Sequence, residues 1–307
     1  MATASLAPTT RADWQCVIDN QLIPALGDTP LWQLTARDCD ALYTALKAAG
    51  LGPSRVRCAH VVLHRAVAQA VRWGWLARNP VSDATRPDVP RSTIRPPDAS
   101  DVRALIAHAA AHDPTMACWL WVATATGARR GEICGLRWAD IDFEQRSVRI
   151  ERSVSATRAG VFVKPTKTGG VRRVSITAQA VEALHRHLER ASQKARRIDK
   201  GMDPEGFVFT SDPGANRPWR PDLVTRRWER LRTETGLQRV RLHDLRHFVA
   251  TELLTEGIDV RTVANRLGHA RTSTTMDIYW AFVPARDRDA ADHLEAILGP
   301  DLSAPTR

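Results

Sequence analysis

His243-Asp244-Leu245-Arg246-His247 is the stretch on which the reading turns. It opens a run with helical periodicity over 243–256, and on a helix positions 243, 246 and 247 share a face, so an imidazole and a guanidinium are aimed at one place. Downstream, Leu267-Gly268-His269 ends a helix predicted over 259–267, with glycine where left-handed backbone is needed and His269 in the turn just after it. Ten residues later stands Tyr279, one of two tyrosines in the chain; the other is Tyr43.

Working outward, the carboxyl half reads as mixed. Helices are predicted over 101–112 and 115–126, and Thr126-Gly127-Ala128-Arg129-Arg130-Gly131-Glu132-Ile133 leads into another. Ser147–Ile150, Val161–Lys164 and Arg172–Ile176 read as strands, with Thr168-Gly169-Gly170 as the turn of a hairpin between the last two. Further helices are predicted over 178–200, 221–235 and 243–256, around Tyr279, and from Arg286 to Leu298. Residues 12–80 carry helical periodicity through Leu42, Leu46, Val61, Val62, Val67, Val71 and Trp75. Thr35 and Ser54 are placed as N-caps, and Asn79-Pro80 as the close of the last helix. From Val81 to Ser100 the chain turns rich in Pro, Asp, Arg and Ser and loses periodicity. The expected fold is mainly α with a small antiparallel sheet (α+β): a helical domain over 1–85, a linker over 86–100 and a larger domain over 101–307.

Of the 307 residues, 43% are apolar and 25% charged, an ordinary globular balance. Lys and Arg total 44 against 34 Asp and Glu, a formal charge of +10 that favours a polyanionic partner. Most of the cations are Arg, which suits bidentate phosphate contact, although a GC-rich genome has the same effect. Residues 217–246 hold nine arginines against four acids, part of which reads as phosphate-contacting. The five cysteines (Cys16, Cys39, Cys58, Cys118, Cys134) form no CxxC or Cys/His cluster, so neither a disulfide framework nor a zinc site is indicated, and they read as reduced core residues. The amino terminus lacks a long apolar region and no later stretch reaches 18 consecutive apolar residues, which argues against secretion and membrane spanning.

Cutting a phosphodiester without a metal needs a nucleophile, cations for the charge of the pentavalent phosphorane, and an acid for the leaving oxygen. The carboxyl half offers all three, and there the chain resembles the tyrosine recombinase (phage integrase) family over residues 12 to about 298. Thr126–Glu132 with Leu136-Arg137-Trp138-Ala139-Asp140-Ile141-Asp142 is similar to the family's first box, which implies a catalytic arginine at Arg129 and a supporting carboxylate at Glu132. A carboxylate three positions on can orient that guanidinium. Pro165–Arg173 resembles the hairpin that carries the family's lysine, implying Lys167, with Lys164 as the alternative. His243-x-x-Arg246 resembles the second box, His269 the later His/Trp position and Tyr279 the nucleophile.

The resemblance implies a site-specific recombinase. Tyr279 would form a 3′-phosphotyrosine and free a 5′-hydroxyl, Arg129 and Arg246 would clamp the nonbridging oxygens, Lys167 would protonate the leaving oxygen, and His243 and His269 would share proton and hydrogen-bond duties. No cofactor, metal or ATP is implied. The implied partners are double-stranded DNA attachment sites, a homotetramer on DNA exchanging a segment near Asp289–Leu298, and accessory DNA-bending proteins, in the bacterial cytoplasm. The helical domain would be the core-binding half of a clamp, and its pattern starts near Trp14, where many phage integrases first carry a separate arm-binding domain; a simpler recombinase without arm sites and a chain that starts late both fit.

Each residue alone has a plainer reading. Arg129 could be a surface ion-pair residue, Tyr279-Trp280 a core aromatic pair, and His243/His247 a metal pair, although no HExxH and no third ligand accompany them. Trp73 and Trp75 read chiefly as core. A DNA-binding regulator that kept the fold, and a type IB topoisomerase sharing the chemistry, are the rival functions.

Overall fold

Thr35 begins a helix because its hydroxyl accepts from the Asp38 amide at 3.3 Å while the Asp38 carboxylate accepts from the Thr35 amide at 2.9 Å, a reciprocal box that uses up two otherwise orphaned donors. The computed structural model describes residues 6–90, 96–166, 169–199, 201–212, 214–269, 276 and 286–298. It divides into two compact units, Met1–Thr93 and Ile94–Arg307.

In the first unit, α1 (Pro8–Val17) runs through a π-helical turn, Ile18–Leu22, into α2 (Ile23–Leu26), followed by α3 (Ala36–Ala48) and α4 (Pro53–Arg72). Val56, Ala59, Val62, Leu63 and Val67 of α4 share one buried cluster with Cys39, Leu42, Tyr43 and Leu46 of α3. Gly52 caps α4 and Pro53 takes its first turn, where the missing N–H costs nothing; Ser54 is therefore not the cap. The helix stops at Arg72, where Gly74 turns left-handed at φ 78°. Asn79 instead caps a short turn, accepting from the Val81 amide at 3.0 Å, and Val81 and Ala84 join the same core. Trp73 and Trp75 are 53% and 65% exposed with ring centroids 4.9 Å apart, so they lie on the surface and not in the core: α4 has ended before they are reached.

The second unit begins with α5 (Ala99–His112), capped by Asp98, and α6 (Pro114–Thr126), capped by Asp113. α6 is buried nearly all round, through Met116, Ala117, Cys118, Trp119, Leu120, Val122, Ala123 and Ala125, and forms the centre of the main core. Then come α7 (Arg130–Cys134), β1 (Ile141–Asp142), β2 (Ser147–Ile150), β3 (Arg152–Thr157), β4 (Gly160–Pro165), β5 (Arg172–Ser175), α8 (Ala178–Arg196), α9 (Pro221–Glu234), α10 (Asp244–Thr255), α11 (Val260–Leu267) and a helix over Arg286–Leu298. The unit is mostly helical with small antiparallel sheets, as the sequence predicts.

The strand pairing differs from the sequence expectation. β4 pairs not with β5 but with β3, through a reversal at Arg158-Ala159, and β5 joins β2 in a separate sheet ordered β1-β2-β5. The six residues 166–171 are too many for a tight hairpin turn, whereas two suffice between Thr157 and Gly160. Cys39, Cys118 and Cys134 are buried as expected, but Cys16 is exposed.

Candidate active site

α6 ends at Gly127, whose φ of 61° disfavours any residue with a Cβ. Space gives a second reason: a Cβ there would lie 2.4 Å from Leu267 Cδ2 and 3.3 Å from Val249 Cγ1. The next residues leave the helix in extended form, so Arg129 becomes the residue before α7 and its side chain is not bound into a helical face. Glu132, 1% exposed, accepts from the Arg129 amide at 3.0 Å and from Arg129 Nη1 at 2.9 Å. Arg129 Nη2 reaches the Gly268 carbonyl at 3.1 Å. Arg130 beside it is exposed and donates to Thr225.

α10 is pinned at its start by Asp244, which is buried and takes both the amide of Arg241 (2.8 Å) and its guanidinium (2.9 Å). His243 directly precedes the first turn, with its ring 5.0 Å from that of His247 in an edge-on arrangement. Arg246, only 5% exposed, points inward and donates from Nη1 to the Gly127 carbonyl at 2.7 Å. Its Nη2 is buried with no acceptor among the described residues.

α11 ends at Gly268, left-handed at φ 69°, and the His269 amide closes the turn on the Ala264 carbonyl at 3.0 Å. Arg172, from β5, comes in from the other side: its Nη2 meets Glu132 at 2.6 Å and its Nε the Arg266 carbonyl at 3.0 Å. Thus Arg129, Glu132, Arg246 and the turn bearing His269 are drawn together from three separate stretches of chain.

The electrostatics favour an anion at this place. Burial, followed by the Arg129 charge, pushes Arg246 down to about 9, yet it stays protonated at neutral pH. His269 is pushed down to about 4 by burial and then by Arg246 and Arg129. His243 is exposed but falls to about 4 as well, through partial desolvation first and then His247 and Arg246. Both imidazoles are therefore neutral at pH 7. Burial alone would raise the Glu132 carboxyl, but Arg172 and Arg129 together hold it below its ordinary value. Two guanidiniums, one partnered by a carboxylate and the other largely unneutralised, with neutral imidazoles beside them, leave this region with a net positive charge.

Lys167 and Tyr279 lie outside the described residues, so of the predicted set the structure brings together Arg129, Glu132, His243, Arg246 and His269. Thr166 and Gly170, flanking Lys167, are anchored: the Thr166 amide donates to the Glu151 carbonyl at 3.2 Å and its hydroxyl to the Gly170 carbonyl at 2.9 Å. Lys164 is on β4, opposite Ser153. Tyr43 is a poor rival to Tyr279. It is 3% exposed, its hydroxyl sits 2.9 Å from His60 Nδ1, and burial raises its phenol well above the ordinary value.

Sequence reasoning gave Arg172 no role, because an arginine on a polar strand looks solvated until its partner across 40 positions is known. Several arginines of the 217–246 run also have acidic partners. Arg220 and Arg226 pair with Asp222, Arg227 with Asp113, Arg230 with Glu234 and Arg241 with Asp244.

Among the described residues no group of three or more His, Cys, Asp or Glu could hold a metal, and no helix is long and apolar enough to cross a membrane.

The arrangement is of a kind suited to an anionic group held by guanidiniums. Residues 98–285 match the profile of the phage integrase family. The ICEBs1 integrase of Bacillus subtilis (strain 168) is 26% identical over 267 residues, covering 87% of this chain and 72% of the relative. Among solved structures, the Tn1549 transposon integrase in complex with transposon right end DNA superposes with a TM-score of 0.80 at 18% identity, over 95% of this chain and 96% of that one. A lambda integrase tetramer bound to a Holliday junction gives 0.66 at 18%, over 90% and 73%. The chain belongs to the phage integrase family of tyrosine recombinases and is a DNA strand-exchange enzyme.

Proposed function

We propose that the chain recombines specific DNA sites to integrate or excise a mobile element, through a covalent link at Tyr279. The Tyr279 oxygen attacks the scissile phosphorus, the bond to the 5′ oxygen breaks, and a 3′-phosphotyrosine remains. Lys167 delivers the proton that the 5′ oxygen takes up. Arg129 and Arg246 hold the nonbridging oxygens, and losing one such preorganised donor costs about 10²–10³ in rate. His243 and His269, neutral at pH 7, each donate a single hydrogen bond to the same phosphate, and the unprotonated ring nitrogen of one of them takes up the phenolic proton that Tyr279 releases. The reverse attack by a 5′-hydroxyl of the partner strand reseals the DNA without loss of bond energy.

The observation that carries this reading is Arg246: a buried cation, one nitrogen on the Gly127 carbonyl and the other without a described acceptor, beside a second guanidinium. Burial of such a group is costly unless an anion completes it. Working as a homotetramer on duplex DNA fits the helix Arg286–Leu298, where Leu294 and Ile297 are 58% and 66% exposed at i, i+3 spacing, an apolar pair suited to docking on a neighbouring copy.

The test is to trap the adduct. Protein is incubated in EDTA with a nicked duplex carrying the attachment site, then run on a denaturing gel. A shifted band with wild type, absent for Tyr279→Phe while DNA binding persists, is the expected result. An adduct that survives Tyr279→Phe refutes the assignment.

A further inference from the structure

Arg172 occupies the first position of β5, five residues beyond Lys167, and two of its guanidinium nitrogens are bonded inside the protein. Its Nη2 lies 2.6 Å from Glu132 Oε2 and its Nε 3.0 Å from the Arg266 carbonyl, and the side chain is 11% exposed. The carboxylate it meets is the one that fixes Arg129 through both amide and guanidinium. The carbonyl it meets belongs to the last turn of α11, where carbonyls lack helical partners, three residues before His269. The approach is close: a Cβ at Gly268 would stand 2.8 Å from Arg172 Nη1 and 2.9 Å from Cζ, so glycine there is what lets the guanidinium lie against the turn. Arg173, next along the strand, points the other way, is exposed, and pairs at the surface with Asp142 at 3.3 Å.

We infer that Arg172 is a positioning residue for strand cleavage, joining in one guanidinium the strand after the Lys167 turn, the carboxylate behind Arg129 and the helix end that presents His269. The role rests on the reaction proposed above. Single bonds join these pieces in pairs, Arg129 Nη2 to the Gly268 carbonyl at 3.1 Å and Arg266 Nη2 to the Ser175 carbonyl at 2.8 Å, and Arg172 alone of these side chains links all three. A planar fork can bond the carboxylate and the carbonyl at once along fixed directions, whereas an ammonium is a point charge that loses one or the other. Its contribution is then geometric, and misplacing reacting groups by about 1 Å costs on the order of 10² in rate.

The experiment uses the full chain and a nicked duplex with the attachment site, comparing wild type, Arg172→Ala, Arg172→Lys and Arg173→Ala. Single-turnover adduct formation is measured at saturating DNA, with the Kd for DNA taken separately and thermal unfolding recorded for each variant. Both Arg172 variants are expected to lose on the order of 10² in the saturated rate with Kd little changed, and Arg173→Ala to behave as wild type. Added methylguanidinium should return part of the rate to Arg172→Ala, which a merely misfolded variant would not show. The inference is overturned if Arg172→Ala reacts at the wild-type rate, or if its deficit lies wholly in Kd or unfolding with no rescue. A wild-type chain that forms no adduct instead brings down the proposed reaction, and this role with it.

Discussion

Replacing Gly127 by alanine tests how the first box is built. Gly127 sits at φ 61°, and left-handed backbone costs a residue with a Cβ about 1–2 kcal/mol. The new methyl would also lie 2.4 Å from Leu267 Cδ2 and 3.3 Å from Val249 Cγ1, both residues buried where α10 and α11 pack, and overpacking a core by one carbon costs about 1–3 kcal/mol. Together these give about 2–5 kcal/mol. Gly236 supplies the control within the same unit: φ is 75° and nothing lies within 4 Å of the place a Cβ would take, so alanine there bears the backbone cost alone. Differential scanning calorimetry should place the Gly127→Ala melting transition well below that of Gly236→Ala, by several degrees at about 2–4 °C per kcal/mol. Because the Gly127 carbonyl takes Arg246 Nη1, Gly127→Ala should also lose adduct formation while Gly236→Ala keeps it. If the two variants melt together, Leu267 moves aside at no cost and the close-packing argument fails.

Glu132→Gln leaves two guanidiniums facing a neutral acceptor and should destabilise the chain by about 3–5 kcal/mol in urea unfolding at neutral pH. Since the folded carboxyl is held below its ordinary 4.5, the stability it lends is complete above that pH and disappears as pH falls through the folded value, so the wild-type advantage should shrink in acid. His187 is buried with Nε2 donating to the Val208 carbonyl at 2.8 Å, and burial pushes it from 6.5 down to about 4. The unfolded chain takes up this proton first, so stability falls between pH 6.5 and 4, by roughly 3 kcal/mol, and a His187→Gln chain should be flatter across that window. Arg246→Lys should bind DNA but form adduct about 10²-fold or more slowly, because an ammonium cannot hold the Gly127 carbonyl and a phosphate in the same fork; an unchanged single-turnover rate would remove Arg246 from the site. Tyr43→Phe should cost about 1 kcal/mol by losing its bond to His60 and leave adduct formation intact.

Much of this protein was legible in its sequence because the signals are local. The helix start at Thr35 is written in a side chain three positions away, and the left-handed stop at Gly268 marks one of the turns around which the site is built, while Asp98, Asp113, Asp259 and Gly127 play the same parts without having been singled out in the sequence. Arg129 with Glu132, three positions apart, needed no tertiary knowledge to be paired. What required the folded chain were relations between distant positions. Pairing β4 with β3, and β5 with β2, is set by cross-strand contacts that an alternating pattern of residues does not encode. The exposure of Trp73 and Trp75 followed from where α4 stops, and the ion pairs of Arg226 and Arg241 from which acids they met. Arg246 could be marked as functional from its motif, but its burial against the Gly127 carbonyl, 119 positions away, and the link of Arg172 to Glu132 across 40, exist only once α10, α11 and β5 close on the end of α6. Sequence fixes conformations over one or two helical turns, where neighbours compete for the same backbone donors; desolvation, and with it the strength of a charged site, depends on which remote segments exclude the water.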